Sequence, residues 1–138
     1  MNSDTKEAKT VVDKIRKLLF NYDMAIVYAK GEIKFREADM ELYKGKGKFG
    51  AKKYALARID KERYEIYIDK IEAAKSDLLD NLAIMLDKYN EKYKQVFVLF
   101  FIENKSYQDI AEITHYSFEA VKVIIKRLKS DLLTMYVA

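Results

Sequence analysis

Lys122, Lys126, Arg127 and Lys129 all fall off a line formed by Val121, Ile125, Leu128 and Leu132. Steps of four, three and four residues are the period of a helix with one buried side. Cations on the free side of such a helix are placed for phosphate oxygens, and its first turns for the base edges of a major groove. Ser117, Phe118 and Glu119 occupy that first turn. A carboxylate such as Glu119 can accept from a cytosine amino group, a ring such as Phe118 can touch a thymine methyl, and Lys122 can donate to guanine O6 or N7 or to a phosphate. Lys126 and Arg127 suit the phosphates, with Ser106 and Tyr116 also near the backbone. The chemistry these residues offer is recognition of double-stranded DNA, not bond-making. His115 is the single histidine, and no serine–carboxylate set accompanies it. GKGKFG lacks the spacing of a phosphate-binding loop and follows no strand. The sequence therefore predicts no enzyme, no cofactor and no metal.

The elements that must position these residues can be read locally. Phe97, Leu99, Phe100 and Phe101 form an apolar helical segment ending near Asn104. Ser106 can cap a short helix, since its hydroxyl can accept from a backbone N–H two or three residues on. In that helix Tyr107, Ile110, Ala111 and Ile113 are expected to face inward. Thr114-His115-Tyr116 reads as the break, where His115 can cap a helix or meet a phosphate. Ser117 caps the second helix, with Glu119 and Ala120 in its first turn.

The run S-Y-x-x-I-A-x-x-x-x-x-S-x-x-x-V-K-x-x-I-x-R-L resembles the DNA-binding region four of bacterial sigma factors. Ser106, Tyr107, Ile110, Ala111, Ser117, Val121, Lys122, Ile125, Arg127 and Leu128 carry the resemblance, which covers the last third of the chain. It implies a sigma-like helix-turn-helix that binds DNA and touches RNA polymerase. Val123 and Ile124 depart from the pattern, which is commonly polar there, and something is expected to cover them. In layout and length the whole chain resembles the phage late-gene transcriptional regulators of the ArpU/RinA type, which implies a late-gene activator in a bacterial host cell. The rival readings are a small sigma factor, for which Tyr22 to Phe35 is a poor polymerase-gripping region, and a small terminase subunit for DNA packaging.

Upstream, Thr5 to about Lys30 reads as one helix with Val12, Ile15, Leu18 or Leu19, Tyr22 and Ile26 inward, ended or kinked by Gly31. A shorter helix is expected over 32–43, with Ile33, Ala38 and Leu42 inward. The lysine-rich KGKGKFGAKK, residues 44–53, reads as a loop, either a solvated linker or a basic arm. From Tyr54 to Asp87 the pattern is helical, with Ser76 or Asp77 able to cap a new helix. Ile59, Arg63, Ile66, Lys70 and Ala73 share one line, and Leu56, Tyr64, Tyr67, Ile71 and Ala74 lie beside it. Its heptad pattern is irregular, which favours packing within one chain and leaves a homodimer open. The expected regions are 1–50, an N-terminal helical part with the basic loop; 51–90, a long amphipathic helix; and 91–138, the helix-turn-helix.

The whole composition fits this layout. The 138 residues include no proline and four glycines, so little interrupts long helices, and 50% are hydrophobic, enough for a core. The predicted fold is all-α: a helical bundle with long amphipathic helices and a C-terminal sigma-like helix-turn-helix. A net charge of +4 is compatible with nucleic acid without demanding it. No cysteine is present, so disulfides and thiolate metal sites are excluded. MNSDTKEAKTVVDK lacks an apolar signal core, and the apolar run Val96 to Ile102 is far short of the roughly 20 residues that span a bilayer. The expected location is the cytoplasm, with no membrane partner.

Overall fold

The computed structural model describes the backbone of residues 3–137 and the side chains of residues 10–135. The side chains at the start of MNSDTKEAKTVVDK, up to Lys9, lie outside that range. Among the described residues the fold is all-α: α1 (Ser3–Tyr43), α2 (Gly47–Leu86), α3 (Glu91–Phe97) running into a π-helical turn (Val98–Ile102), α4 (Tyr107–Thr114) and α5 (Phe118–Val137). The chain divides into two compact units, one of Leu19–Leu78 and one joining Met1–Leu18 to Leu79–Ala138.

In the unit Leu19–Leu78, α1 and α2 form an antiparallel hairpin. Leu19, Tyr22, Ile26, Ala29, Ile33, Arg36, Met40 and Tyr43 are buried or half-buried, as are Ala57, Lys61, Tyr64, Ile68, Ile71, Lys75 and Leu78 on α2. Both series alternate steps of three and four, the seam of a coiled coil. The regularity escapes a count of apolar residues because Arg36, Lys61 and Lys75 stand in the seam, covering it with their aliphatic stems while their heads reach outward. Those heads pair across the hairpin: Arg36 with Asp60 at 3.6 Å, Lys61 with Glu37 at 3.4 Å, and Lys75 with Asp23 at 2.6 Å. Ile59, Arg63, Ile66, Lys70 and Ala73 are exposed, as are Leu56, Tyr67, Ala38 and Leu42.

The helices are longer than the sequence predicts. α1 runs through Gly31 without interruption, and α2 runs through Ser76–Asp77 to Leu86. One glycine costs a helix only about 1 kcal/mol, which a packed helix of 41 residues absorbs. The expected loop over 44–53 contracts to Lys44, Gly45 and Lys46. Gly45 (φ 70°) and Gly47 (φ 74°) take the left-handed backbone the reversal needs, and the Lys46 N–H donates to the Tyr43 carbonyl at 3.2 Å. Most of the lysine-rich run is thus the first turns of α2.

In the other unit, Val12 and Ile15 of α1 and Leu82 and Leu86 of α2 are buried, as are Val96, Phe97 and Phe101. Asn90 caps α3 by accepting from the Tyr93 N–H at 2.9 Å. The π-helical turn closes with Glu103 N–H on the Val98 carbonyl at 2.9 Å and Lys105 N–H on the Leu99 carbonyl at 2.8 Å. Arg16 takes the neighbouring Phe100 carbonyl, donating through Nη2, and its guanidinium lies 4.6 Å over the Phe100 ring.

The tight hairpin end yields a test. A Cβ at Gly50 would stand 2.7 Å from the Tyr43 carbonyl oxygen, so Gly50→Ala forces backbone apart where α1 meets α2. Despite its better helix propensity the variant should lose about 1–3 kcal/mol, read as a lower urea midpoint and melting temperature with the helical signal of the folded state retained.

Candidate nucleic-acid interface

The two helices of the motif are set by their caps. The Ser106 hydroxyl accepts from the Asp109 N–H at 3.1 Å, and the Ser117 hydroxyl accepts from the Ala120 N–H at 3.1 Å. Both serines are where the sequence places them, as N-caps of α4 and α5. Between the helices Thr114 is still helical and His115 adopts the left-handed conformation (φ 63°), so the break is 115–117, one residue later than expected. Thr114 is 1% exposed. Its hydroxyl donates to the Ile110 carbonyl at 2.7 Å and accepts from the Tyr116 N–H at 3.4 Å. Lys92 reaches in from α3, donating to the Thr114 carbonyl at 3.0 Å and lying 4.8 Å over the Tyr116 ring. The turn is therefore tied to both of its neighbours.

Burial sorts the residues of α4 and α5. Ile110, Val121, Ile125, Leu128 and Leu132 are at most 1% exposed, which is the predicted stripe. Ile113 is a correction: at 45% exposed it faces outward, because the inward line of α4 passes through Tyr107, Ile110 and Thr114 at steps of three and four. Of the two apolar departures, Ile124 is 4% exposed and covered within the unit, whereas Val123 remains half exposed.

Ser106, Ser117, Phe118, Glu119, Lys122, Lys126 and Arg127 are exposed and Tyr116 is half-buried. Around them runs a chain of rings. Phe118 meets Tyr107 edge-on at 6.0 Å, Tyr107 lies 5.5 Å from Phe100, and Lys122 sits 5.7 Å over Phe118. Arg127 donates to the Tyr93 hydroxyl at 3.1 Å, so its guanidinium is held toward α3. Lys129, expected on the phosphate side, lies 5.2 Å over the Phe100 ring.

Sequence reasoning missed the residues that tie α1, the start of α3 and the π-helical turn to the motif: Lys92, Thr114, Tyr89 and Arg16. Only Thr114 left a signal, since it follows Ile110 by four at the end of a helix. Tyr89 stacks on Tyr93 at 5.1 Å and donates to Asp131, which also pairs with Lys88 at 3.2 Å. Burial, then the bond to Asp131, push the Tyr89 hydroxyl up to about 12.

Residues 80–132 match the family model described as Sigma-70, region 4. The match begins at the end of α2 and takes in α3, the π-helical turn, α4 and most of α5, so this part of the chain is a sigma region-four-like helix-turn-helix, a DNA-binding module. It covers less than half of the 138 residues. No curated protein and no solved structure matches the chain. Among the described residues no helix is long and apolar enough to cross a membrane.

The Tyr89–Asp131 contact has a pH signature. The hydroxyl titrates higher in the folded chain than its ordinary value of 10, so its stabilisation is whole below pH 10 and is lost as pH rises toward about 12. Tyr89→Phe should cost about 1 kcal/mol at neutral pH. The gap between the variant and the parent should close between pH 10 and about 12 in urea titrations; a gap that persists there would assign the contact no role.

Proposed function

We propose that the chain is a sequence-specific, double-stranded-DNA-binding transcription regulator that reads the major groove with the start of α5. The observation that carries this reading is the exposed row Ser117, Phe118, Glu119, Lys122 and Lys126, backed by the buried line of α5, on a module that matches a sigma region four. Phe118, Glu119 and Lys122 are the base-reading set. Lys126 and Arg127 contact phosphates, Arg127 on the α3 side where Tyr93 holds it. Ser106 and Ser117 serve through the helix N-termini they cap, whose free N–H groups and positive dipole end suit a phosphate, and Tyr116 lies beside them. The regions 1–50, 51–90 and 91–138 divide the work, the last reading DNA and the first two supplying a helical platform.

RNA polymerase is the second partner in this reading, supported by the region-four type of the module. The α1–α2 hairpin ahead of the module favours a phage or prophage late-gene activator over a small sigma factor: α1 between Tyr22 and Phe35 mixes Asp23, Lys30 and Lys34 with apolar residues and lacks a concentrated basic–aromatic surface.

Selection from random duplex DNA at two salt concentrations should enrich one motif, with affinity falling as salt rises. Lys122→Glu combined with Lys126→Glu should weaken binding by roughly 100-fold or more and leave the thermal transition in place, since both side chains are exposed. Unchanged affinity would remove α5 from the interface. Salt-sensitive binding without enrichment would instead favour packaging or architectural work.

A further inference from the structure

The outer face of α1 carries a continuous apolar stripe that the hairpin does not use. Phe20, Met24, Val27, Phe35 and Leu42 are 62%, 47%, 60%, 67% and 61% exposed, and Gly31 and Ala38, also exposed, fill the gaps. At 3.6 residues per turn these seven positions fall within an arc of about 80°, on the side of α1 opposite its seam with α2. No charged residue interrupts the line. On α2 the comparable outer line is broken by Arg63 and Lys70.

Gly31 is the residue that needs explaining. Glycine is the poorest helix former after proline, and a Cβ at position 31 would meet nothing within 4 Å. The single chain therefore gives no packing reason for it. A mid-helix glycine on an exposed apolar line allows the close approach of another backbone.

We propose that this stripe is the contact between two copies of the chain, with the α1 helices crossing antiparallel at Gly31. The spacing supports a second copy over an unrelated partner because the stripe is self-complementary about its centre. With Gly31 on the two-fold axis, Val27 meets Phe35 of the second copy, Met24 meets Ala38, and Phe20 meets Leu42. Each pairing recurs by symmetry, as a two-fold contact requires. Area also fits. Taking about 150–250 Å² for each aromatic side chain and scaling by the 62% and 67% exposure of Phe20 and Phe35, the two rings alone offer roughly 190–320 Å² per copy. Met24, Val27 and Leu42 add to this toward the about 800 Å² per partner of a standard interface. Such a contact is independent of how α5 reads DNA, and it can be tested without DNA.

Sedimentation equilibrium of the full chain should give twice the 16.2 kDa mass at micromolar concentration. Val27→Asp with Phe35→Asp should return it to a single copy with helicity retained, because both side chains are exposed. The chain lacks cysteine, so a Val27→Cys, Phe35→Cys variant, whose thiols meet only across the two-fold axis, provides a defined probe that leaves Gly31 in place. Under mild oxidation it should form a disulfide-linked dimer faster than a Lys70→Cys control on α2. A single copy throughout the concentration range, a dimer that survives the double Asp variant, or equal cross-linking of the 27/35 and 70 variants would each overturn the proposal.

Discussion

The guanidinium of Arg16 on Phe100 is the contact through which the region-four unit is assembled. A π-helical turn leaves one carbonyl out of the backbone ladder, and in this chain a side chain from 84 residues earlier supplies the donor. Burial pulls the Arg16 pKa down, opposed by Asp13 and Tyr107, and its Nε lacks a hydrogen-bond partner. A half-buried cation with an unpaired N–H is best tolerated when its other N–H groups are well used. The same Phe100 ring takes Arg16 on its face at 4.6 Å, Lys129 of α5 at 5.2 Å and Tyr107 of α4 at 5.5 Å. The start of α1, the π-helical turn and both helices of the motif therefore meet on one side chain.

What that arrangement delivers is a stiff presentation of a few exposed groups. The break between α4 and α5 is short, and its polar groups are engaged on both sides: Thr114 bonds both back to α4 and forward to Tyr116, while Lys92 ties its carbonyl to α3. Ser117 then starts α5 with its cap already made. The reading proposed for α5 would gain from such fixing, because side chains that do not have to be ordered on binding leave more of the contact energy as affinity. The boundary of the family match at residue 80 falls beside the boundary of the structural unit at Leu79, so the recognisable module and the compact unit share an edge.

The motif is legible in the sequence because its signals are local. Ser106 and Ser117 cap over three residues, and Val121, Ile125, Leu128 and Leu132 repeat at helical spacing, so both helices and the buried line of α5 follow from neighbours alone. Ile113 misleads because an apolar side chain suggests an inward direction, whereas the register set by Ile110 and Thr114 turns it out. The hairpin is only partly legible. Gly31 signals a break that packing overrides, Gly45 and Gly47 mark a real turn but one shorter than the lysine-rich run suggests, and the seam is hidden by Arg36, Lys61 and Lys75 occupying core register. In VFVLFFI every residue is apolar, so the run carries no phase and cannot reveal a π-helical turn. Arg16 to Phe100 and Arg127 to Tyr93 are long-range pairings with no sequence period to expose them.

The balance of charge explains why a platform accompanies the module. Affinity for DNA grows with the number of phosphates neutralised, and α5 has few cations free to neutralise them. Lys129 is drawn to Phe100, so α5 offers Lys122, Lys126 and Arg127, the last held toward α3 by Tyr93. A sigma region four within a larger polymerase assembly can work with few contacts because the rest of the assembly holds it near the duplex. The polymerase contact and the second copy proposed above would each supply such effective concentration. Joining two modules makes the second binding event intramolecular and can raise avidity by about 10²–10⁴ without any new base contact. In the proposed two-copy contact, the α1–α2 hairpin, with its seam satisfied internally by paired charges and its other face apolar, would serve as that joint.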